Sequence, residues 1–227
     1  MGPRPRRART QITDAPAVAL APAWKTRAVA RSLERARLEA GRRGERIVAA
    51  AMEVAAQSPS GDFTLQAVVE RAGISTRTLY QHFSGKDDLL VAMFEEAQRS
   101  SERAIQRAVD DESDPLARLR AFVISRQALL TPGPLARLLV QHHFRLQESH
   151  PDELRHAVTP VTSLLARLIA DATAAGCIQV DDVDKAATLV FQVVTTAMQH
   201  VVLGSSPTGI APDADDVWGF CLRGLGG

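Results

Sequence analysis

The chain has 227 residues, 45% of them hydrophobic and 4% aromatic, with a formal net charge of +1. That is apolar material for a sizeable core, which excludes a wholly disordered chain. Two cysteines, neither with a second Cys at C-x-x-C spacing, exclude a disulfide framework and point to a reduced, cytoplasmic compartment. Ala, Leu, Val and Arg dominate and β-branched runs are short, so the expected fold is all-α. No run of 18 apolar residues is present, so no membrane-spanning segment is expected.

Residues 1–46 hold twelve Arg or Lys against four Asp or Glu, an excess of eight, so the remaining 181 residues carry −7. The opening "MGPRPRRART" followed by "APAVALAPA" imitates a secretory leader, but Pro16 and Pro22 interrupt an apolar stretch that is mostly Ala. The expectation is a disordered basic arm. From Trp24 to Arg43 the chain turns rich in Ala, Leu, Arg and Glu and is predicted helical, preceding or merging with the next helix. Gly41 and Gly44 would loosen that junction. Further helices are predicted near 45–57, 64–71, 75–82, 85–109, 115–131, 134–148, 151–175, 183–203 and 213–224. In the first of these, Ile47, Ala51, Val54 and Ala55 recur at helical spacing and define a packing face.

The stretch 64–90, "TLQAVVERAGISTRTLYQHFSGKDDLL", carries the chemistry. Thr64 is an N-cap, and Phe63 stands five residues before Val68, the spacing of a hydrophobic staple. Ser75 repeats the cap, with Ile74 and Leu79 in the staple positions. Gly73 between them supplies a left-handed turn. Two short helices joined by such a turn form a helix-turn-helix. Leu79 and Phe83 point inward, so Arg77, Thr78 and Gln81 face outward, flanked by Tyr80 and His82, with Thr76 nearer the core. Short donors and acceptors plus one Arg suit base edges and phosphates in a major groove. Thr64, Tyr80 and Lys86 are the expected phosphate contacts, with Ser75 at the helix tip. Ser84 with Asp87 three residues on is expected to cap the following helix.

These residues resemble the DNA-binding signature of the tetracycline-repressor (TetR/AcrR) family: a Thr-led helix, then A-G-I-S, then L-Y-Q-H-F, then a Lys and paired leucines. The resemblance covers about fifty residues from Gly44 to Phe94, and the ending "CLRGLGG" is similar to the last helix of many members. It implies a homodimeric, ligand-responsive transcriptional regulator, usually a repressor, released from a palindromic operator by a small molecule. The implied division is 1–43 as a basic extension, 44–92 as the DNA-binding domain and 93–227 as the effector-binding and dimerisation domain. The implied dimer helices are those near 183–203 and 213–224. The long extension departs from the family pattern, and Arg4, Arg6, Arg7 and Arg9 there are candidates to follow the DNA backbone or enter a minor groove.

Val158, Val161, Leu165, Leu168 and Ala172 form a narrow apolar stripe after Leu154, interrupted by Pro160, where a kink is expected. The helix near 183–203 is apolar around most of its circumference and needs cover on two sides. An effector pocket is expected among residues 115–200, with Phe122, Arg126, His143, Phe144, Gln192, Thr195 and His200 as candidate lining. The rival reading is a metal-dependent enzyme using His142, His143 and His150, with Glu148, Glu153 and His156 nearby. That segment lacks H-E-x-x-H spacing and crosses Pro151. No G-x-S-x-G or Cys/His pairing is present either. The expected protein is therefore not an enzyme, with no cofactor and no bound metal.

Overall fold

A computed structural model describes residues 22–59, 61–129, 132–204, 206 and 208–227. Among them are nine α-helices and no strand. The candidates Arg4, Arg6, Arg7 and Arg9 lie outside the described residues. By backbone proximity the chain divides into Met1–Arg42 and Arg43–Gly227.

The two helices expected over 24–43 and 45–57 are a single helix, α1 (Ala23–Gln57). Each glycine costs about 1 kcal/mol relative to Ala in a helix, and the surrounding Ala, Arg, Leu and Glu outweigh Gly41 and Gly44. In its first part Trp24, Val29, Leu33 and Leu38 are exposed. In its last part Ile47, Ala51 and Ala55 are wholly buried.

Helices α2 (Leu65–Ala72) and α3 (Thr76–His82) follow, then the long α4 (Lys86–Asp110). Helix α4 does not start on the Ser84–Asp87 pair expected from the sequence. Its N-cap is Gly85 with no side-chain cap bond, and Asp88 reaches back instead, accepting from the Ser84 backbone N–H at 2.8 Å and its hydroxyl at 3.2 Å. Asp87 is drawn elsewhere, into a bidentate pair with Arg145 whose Nη2 donates to Oδ1 at 2.9 Å. A charge-assisted fork of two hydrogen bonds outcompetes a local cap.

The rest of the chain is α5 (Pro115–Ala128), α6 (Pro134–Ser149), α7 (Pro151–Ala174), α8 (Val183–Leu203) and α9 (Ala214–Gly224). Asp114, Asp182 and Asp213 cap α5, α8 and α9 through side-chain oxygens, the last in a reciprocal capping box with Asp216. Helix α7 continues through Pro160. The predicted stripe on α7 is buried at Leu154, Val161, Leu165, Leu168 and Ala172, with Val158 half-buried. On α8 Ala187, Val190, Val194, Met198 and Val202 are buried, which leaves Leu189 and Val201 exposed. Helix α8 is also the one helix among the described residues long and apolar enough to cross a membrane. It packs against α5, α6, α7 and α9.

Two large cores result. One joins Ile47, Phe63, Val68, Leu79, Phe83, Leu89 and Leu90 to Leu138, Leu139, Leu146 and Leu154. The other gathers Ile105, Val109, Leu119, Phe122, Leu165, Val194, Trp218 and Cys221. Helix α4 contributes to both.

Candidate functional site

The turn between α2 and α3 is built locally. Thr64 Oγ1 accepts from the Ala67 N–H at 3.1 Å, and Phe63 and Val68 are both buried, as the staple requires. Gly73 adopts φ 63°, its N–H donating to the Glu70 carbonyl at 3.3 Å, while the Ile74 N–H donates to Val69 at 3.2 Å. Those two bonds are a Schellman ending, which satisfies the last carbonyls of α2 and turns the chain sharply. Ser75 Oγ then accepts from the Thr78 N–H at 3.1 Å and lies 2.8 Å from the Thr78 hydroxyl. Leu79, with no exposure at all, pins α3 to the core. Its removal to Ala would cost about 2–5 kcal/mol by the usual cavity penalty.

With Leu79 turned in, the other side of α3 faces out. Thr76, Arg77, Tyr80 and Gln81 are exposed, and Thr78 and His82 are half-buried. Tyr80 keeps 55% of its surface. Among the described residues neither Arg77, Tyr80 nor Gln81 makes a hydrogen bond or ion pair. Thr64 is exposed, so its residual lone pair and the first N–H groups of α2 face the same solvent. Lys86 differs. Its ammonium donates to Asp62 Oδ1 at 2.5 Å and sits 4.8 Å from the centre of the Phe63 ring. The Lys86 hydrogen bond holds the Asp62 carboxyl below the usual carboxylate range.

A second feature lies between α4, α5, α6 and α8: a cavity of about 420 Å³. Of the residues expected from the sequence, Arg126, His143 and Thr195 line it. Phe122 is instead wholly buried in the second core, Phe144 is 68% exposed, Gln192 is exposed, and His200 is half-buried away from the lining. The structure adds Gln98, Ser101, Phe191 and Met198. Phe191, Thr195 and Met198 step by four and three along α8 and share one face, from which Gln192 is turned by 100°. Gln98 and Ser101 had a sequence signal. The inward stripe Leu90, Phe94, Ile105 on α4 becomes polar in its middle, where a packed core would want Leu or Val.

Among the described residues lining the cavity Arg126 is the only charged one, and it is 2% exposed. Its Nη1 donates to Gln98 Oε1 at 3.1 Å and to Ser101 Oγ at 3.2 Å. Its guanidinium carbon stands 5.1 Å from the centre of the Phe191 ring. Burial alone pushes its pKa down to about 10. Burial also lowers the pKa of His143, which packs between Phe94 and Phe144 at ring separations of 5.5 and 5.6 Å.

Two histidines of the rival metal reading, His142 and His150, are held by other partners. His142 Nδ1 lies 3.2 Å from Arg145 Nη2, and His150 Nδ1 is 2.8 Å from the Ser149 hydroxyl. Among the described residues no three His, Cys, Asp or Glu side chains gather where they could hold a metal ion. The geometry does not favour the enzyme alternative.

A capped helix pair whose Arg77, Tyr80 and Gln81 side chains have no partner among the described residues, on a helical body with a cavity, is a helix-turn-helix architecture. Residues 47–93 match the family profile "Bacterial regulatory proteins, tetR family". The chain is 28% identical over 135 residues to the HTH-type transcriptional regulator SrpR of Pseudomonas putida, a match covering 53% of this chain and 63% of that protein. The alignment thus spans less than two thirds of that relative's length. Its fold is similar to RolR in complex with resorcinol (TM-score 0.64, 19% identity, 84% of this chain and 90% of that one). It is also similar to the regulator FadR of Bacillus subtilis in complex with stearoyl-CoA (TM-score 0.60, 18% identity, 80% and 96%). Residues 47–93 thus carry a helix-turn-helix module of the TetR-family type.

Proposed function

We propose that the chain is a homodimeric transcriptional repressor of the cytoplasm that leaves a palindromic operator when a small molecule fills the cavity between α4, α5, α6 and α8. The observation that carries this reading is the outward face of α3. Among the described residues the side chains of Arg77, Tyr80 and Gln81 have no hydrogen-bond or ion-pair partner, and an Arg with free donors is the side chain best suited to guanine. Thr76 and Thr78 add groove contacts, while Thr64, Ser75, Tyr80, His82 and Lys86 add contacts to the backbone. Lys86 would exchange or share its bond to Asp62 with a phosphate. Residues 44–92 form the reading head and 93–227 the effector and dimer part, with 1–43 as a basic extension.

A dimer gives this face its reach. One helix-turn-helix covers a few base pairs, and two held about 34–36 Å apart meet successive major grooves. Leu189 on α8 and Phe220 on α9 are 62% and 60% exposed, an apolar pair on the two helices proposed as the dimer surface. Ligand complexes of RolR and FadR support the effector part of the reading by analogy of fold.

The test is a gel shift on the DNA upstream of the chain's own gene, with Arg77→Ala and Tyr80→Ala as controls, alongside sedimentation. Both variants should bind that DNA more weakly than the parent dimer. A strictly monomeric protein that binds none of the genomic fragments offered refutes the proposal.

A further inference from the structure

We propose that the cavity takes a small organic anion, with its acid group on Arg126 and its hydrocarbon body against Leu139, Val140 and Met198. This deepens the effector reading above and rests on it.

The charge inside the cavity is unbalanced. Arg126 is enclosed, yet among the described residues none that lines the cavity is Asp or Glu, and the two acceptors it has, Gln98 and Ser101, are neutral. Both are taken by Nη1. Its Nε is buried with no hydrogen-bond partner, and so is the Thr195 hydroxyl on the opposite helix. A charged donor left unpaired in a dry site is among the most costly features a fold can keep, and buried charges are ordinarily paired. The lowered pKa still leaves the guanidinium protonated at neutral pH. His143, kept neutral by burial, adds no competing charge.

The remaining wall selects the ligand's body. Leu139, Val140 and Met198 are apolar, and Phe191 covers one face of the guanidinium, which leaves its edge for hydrogen bonding. A carboxylate, phenolate or sulfonate supplies the missing acceptors and the missing charge. A cation would be repelled, and a neutral hydrocarbon would leave Nε and the Thr195 hydroxyl orphaned. At about 420 Å³ the site has the volume of a compact small-molecule pocket.

The experiment uses the full chain and two fluorescent probes with the same aromatic body, anilinonaphthalene sulfonate and the uncharged phenylnaphthylamine. Arg126→Met and Arg126→Gln should each weaken binding of the sulfonate roughly thirtyfold or more and leave the neutral probe within about threefold. On the unmodified chain, decanoate should displace phenylnaphthylamine at a concentration at least about tenfold below that of decanamide, which keeps the test independent of how the variants fold. Sulfonate binding that is absent, or unchanged in both variants, overturns the proposal. So does equal displacement by decanoate and decanamide. A gel shift run in parallel separates the two readings. Intact DNA binding without anion preference sinks only this inference, whereas anion preference without DNA binding sinks the repressor reading.

Discussion

Gly61 offers a measurement in which geometry alone separates two otherwise identical substitutions. Gly61 and Gly73 both have left-handed backbones, with φ of 76° and 63°. A Cβ on Gly73 would meet nothing within 4 Å, but one on Gly61 would lie 2.3 Å from the Pro134 carbonyl oxygen and 3.0 Å from its carbon. Gly73→Ala therefore pays only the left-handed conformation, about 1–2 kcal/mol. Gly61→Ala pays the same and must also push backbone from backbone. Overpacking of that kind costs about 1–3 kcal/mol more. The expected losses are about 1–2 kcal/mol for Gly73→Ala and roughly 2–5 kcal/mol for Gly61→Ala. Urea unfolding followed by circular dichroism at one fixed protein concentration reads both, the fixed concentration removing any mass-action term from a dimer. Losses equal within about 0.5 kcal/mol would mean that the Gly61–Pro134 approach is not held in solution, and the reasoning would fail.

Arg77→Ala should weaken binding to the proposed operator by about 1–3 kcal/mol if the guanidinium holds a guanine with two bonds, while leaving the thermal midpoint unmoved because the Arg77 side chain has no partner among the described residues; fluorescence anisotropy and a melt read the two effects separately. Burial lowers the pKa of His143 from its ordinary 6.5, so the unfolded chain takes up the proton first. The stability this contributes is complete above that value and declines as the pH falls below it. His142 shifts the same way, and Glu95, raised by burial, acts with the opposite sign nearer its own ordinary 4.5. A His143→Gln chain should accordingly lose less stability than the parent as the pH falls below about 6.5, and parallel melting curves on that side of neutrality would refute the assignment. Leu189→Glu combined with Phe220→Glu should convert the proposed dimer to monomers in sedimentation without unfolding the chain, since both side chains are exposed in the single chain. Removing residues 1–21 should flatten the salt dependence of operator affinity, and an unchanged slope would leave the basic arm without a role on DNA.

The helix-turn-helix could be read from the sequence because everything that builds it is local. Thr64, Ser75, Gly73 and the two staples each act on a partner within five residues, and their chemistry does not depend on the rest of the chain. The cavity was only partly legible. Arg126, His143 and Thr195 lie on its wall, but Phe122, Phe144, Gln192 and His200 face elsewhere, because which side of α5, α6 or α8 turns inward is decided by neighbours far away in sequence. The Asp87 cap failed for the same reason: Arg145, 58 positions on, claims that carboxylate. Helix α1 ran through two glycines because propensity is a sum over many residues, and a pair of weak positions does not outvote thirty-three others.

Helix α4 is one uninterrupted rod of 25 residues, about 38 Å long at 1.5 Å per residue. Its first turns are cemented into the core beneath α2 and α3 through Leu89 and Leu90, its last turns into the other core through Ile105 and Val109, and its waist carries Gln98 and Ser101. Under the proposed repressor function, a ligand wedged against that waist would bear on one continuous helix tied at both ends, and the displacement would reach α2 and α3 like the far end of a seesaw.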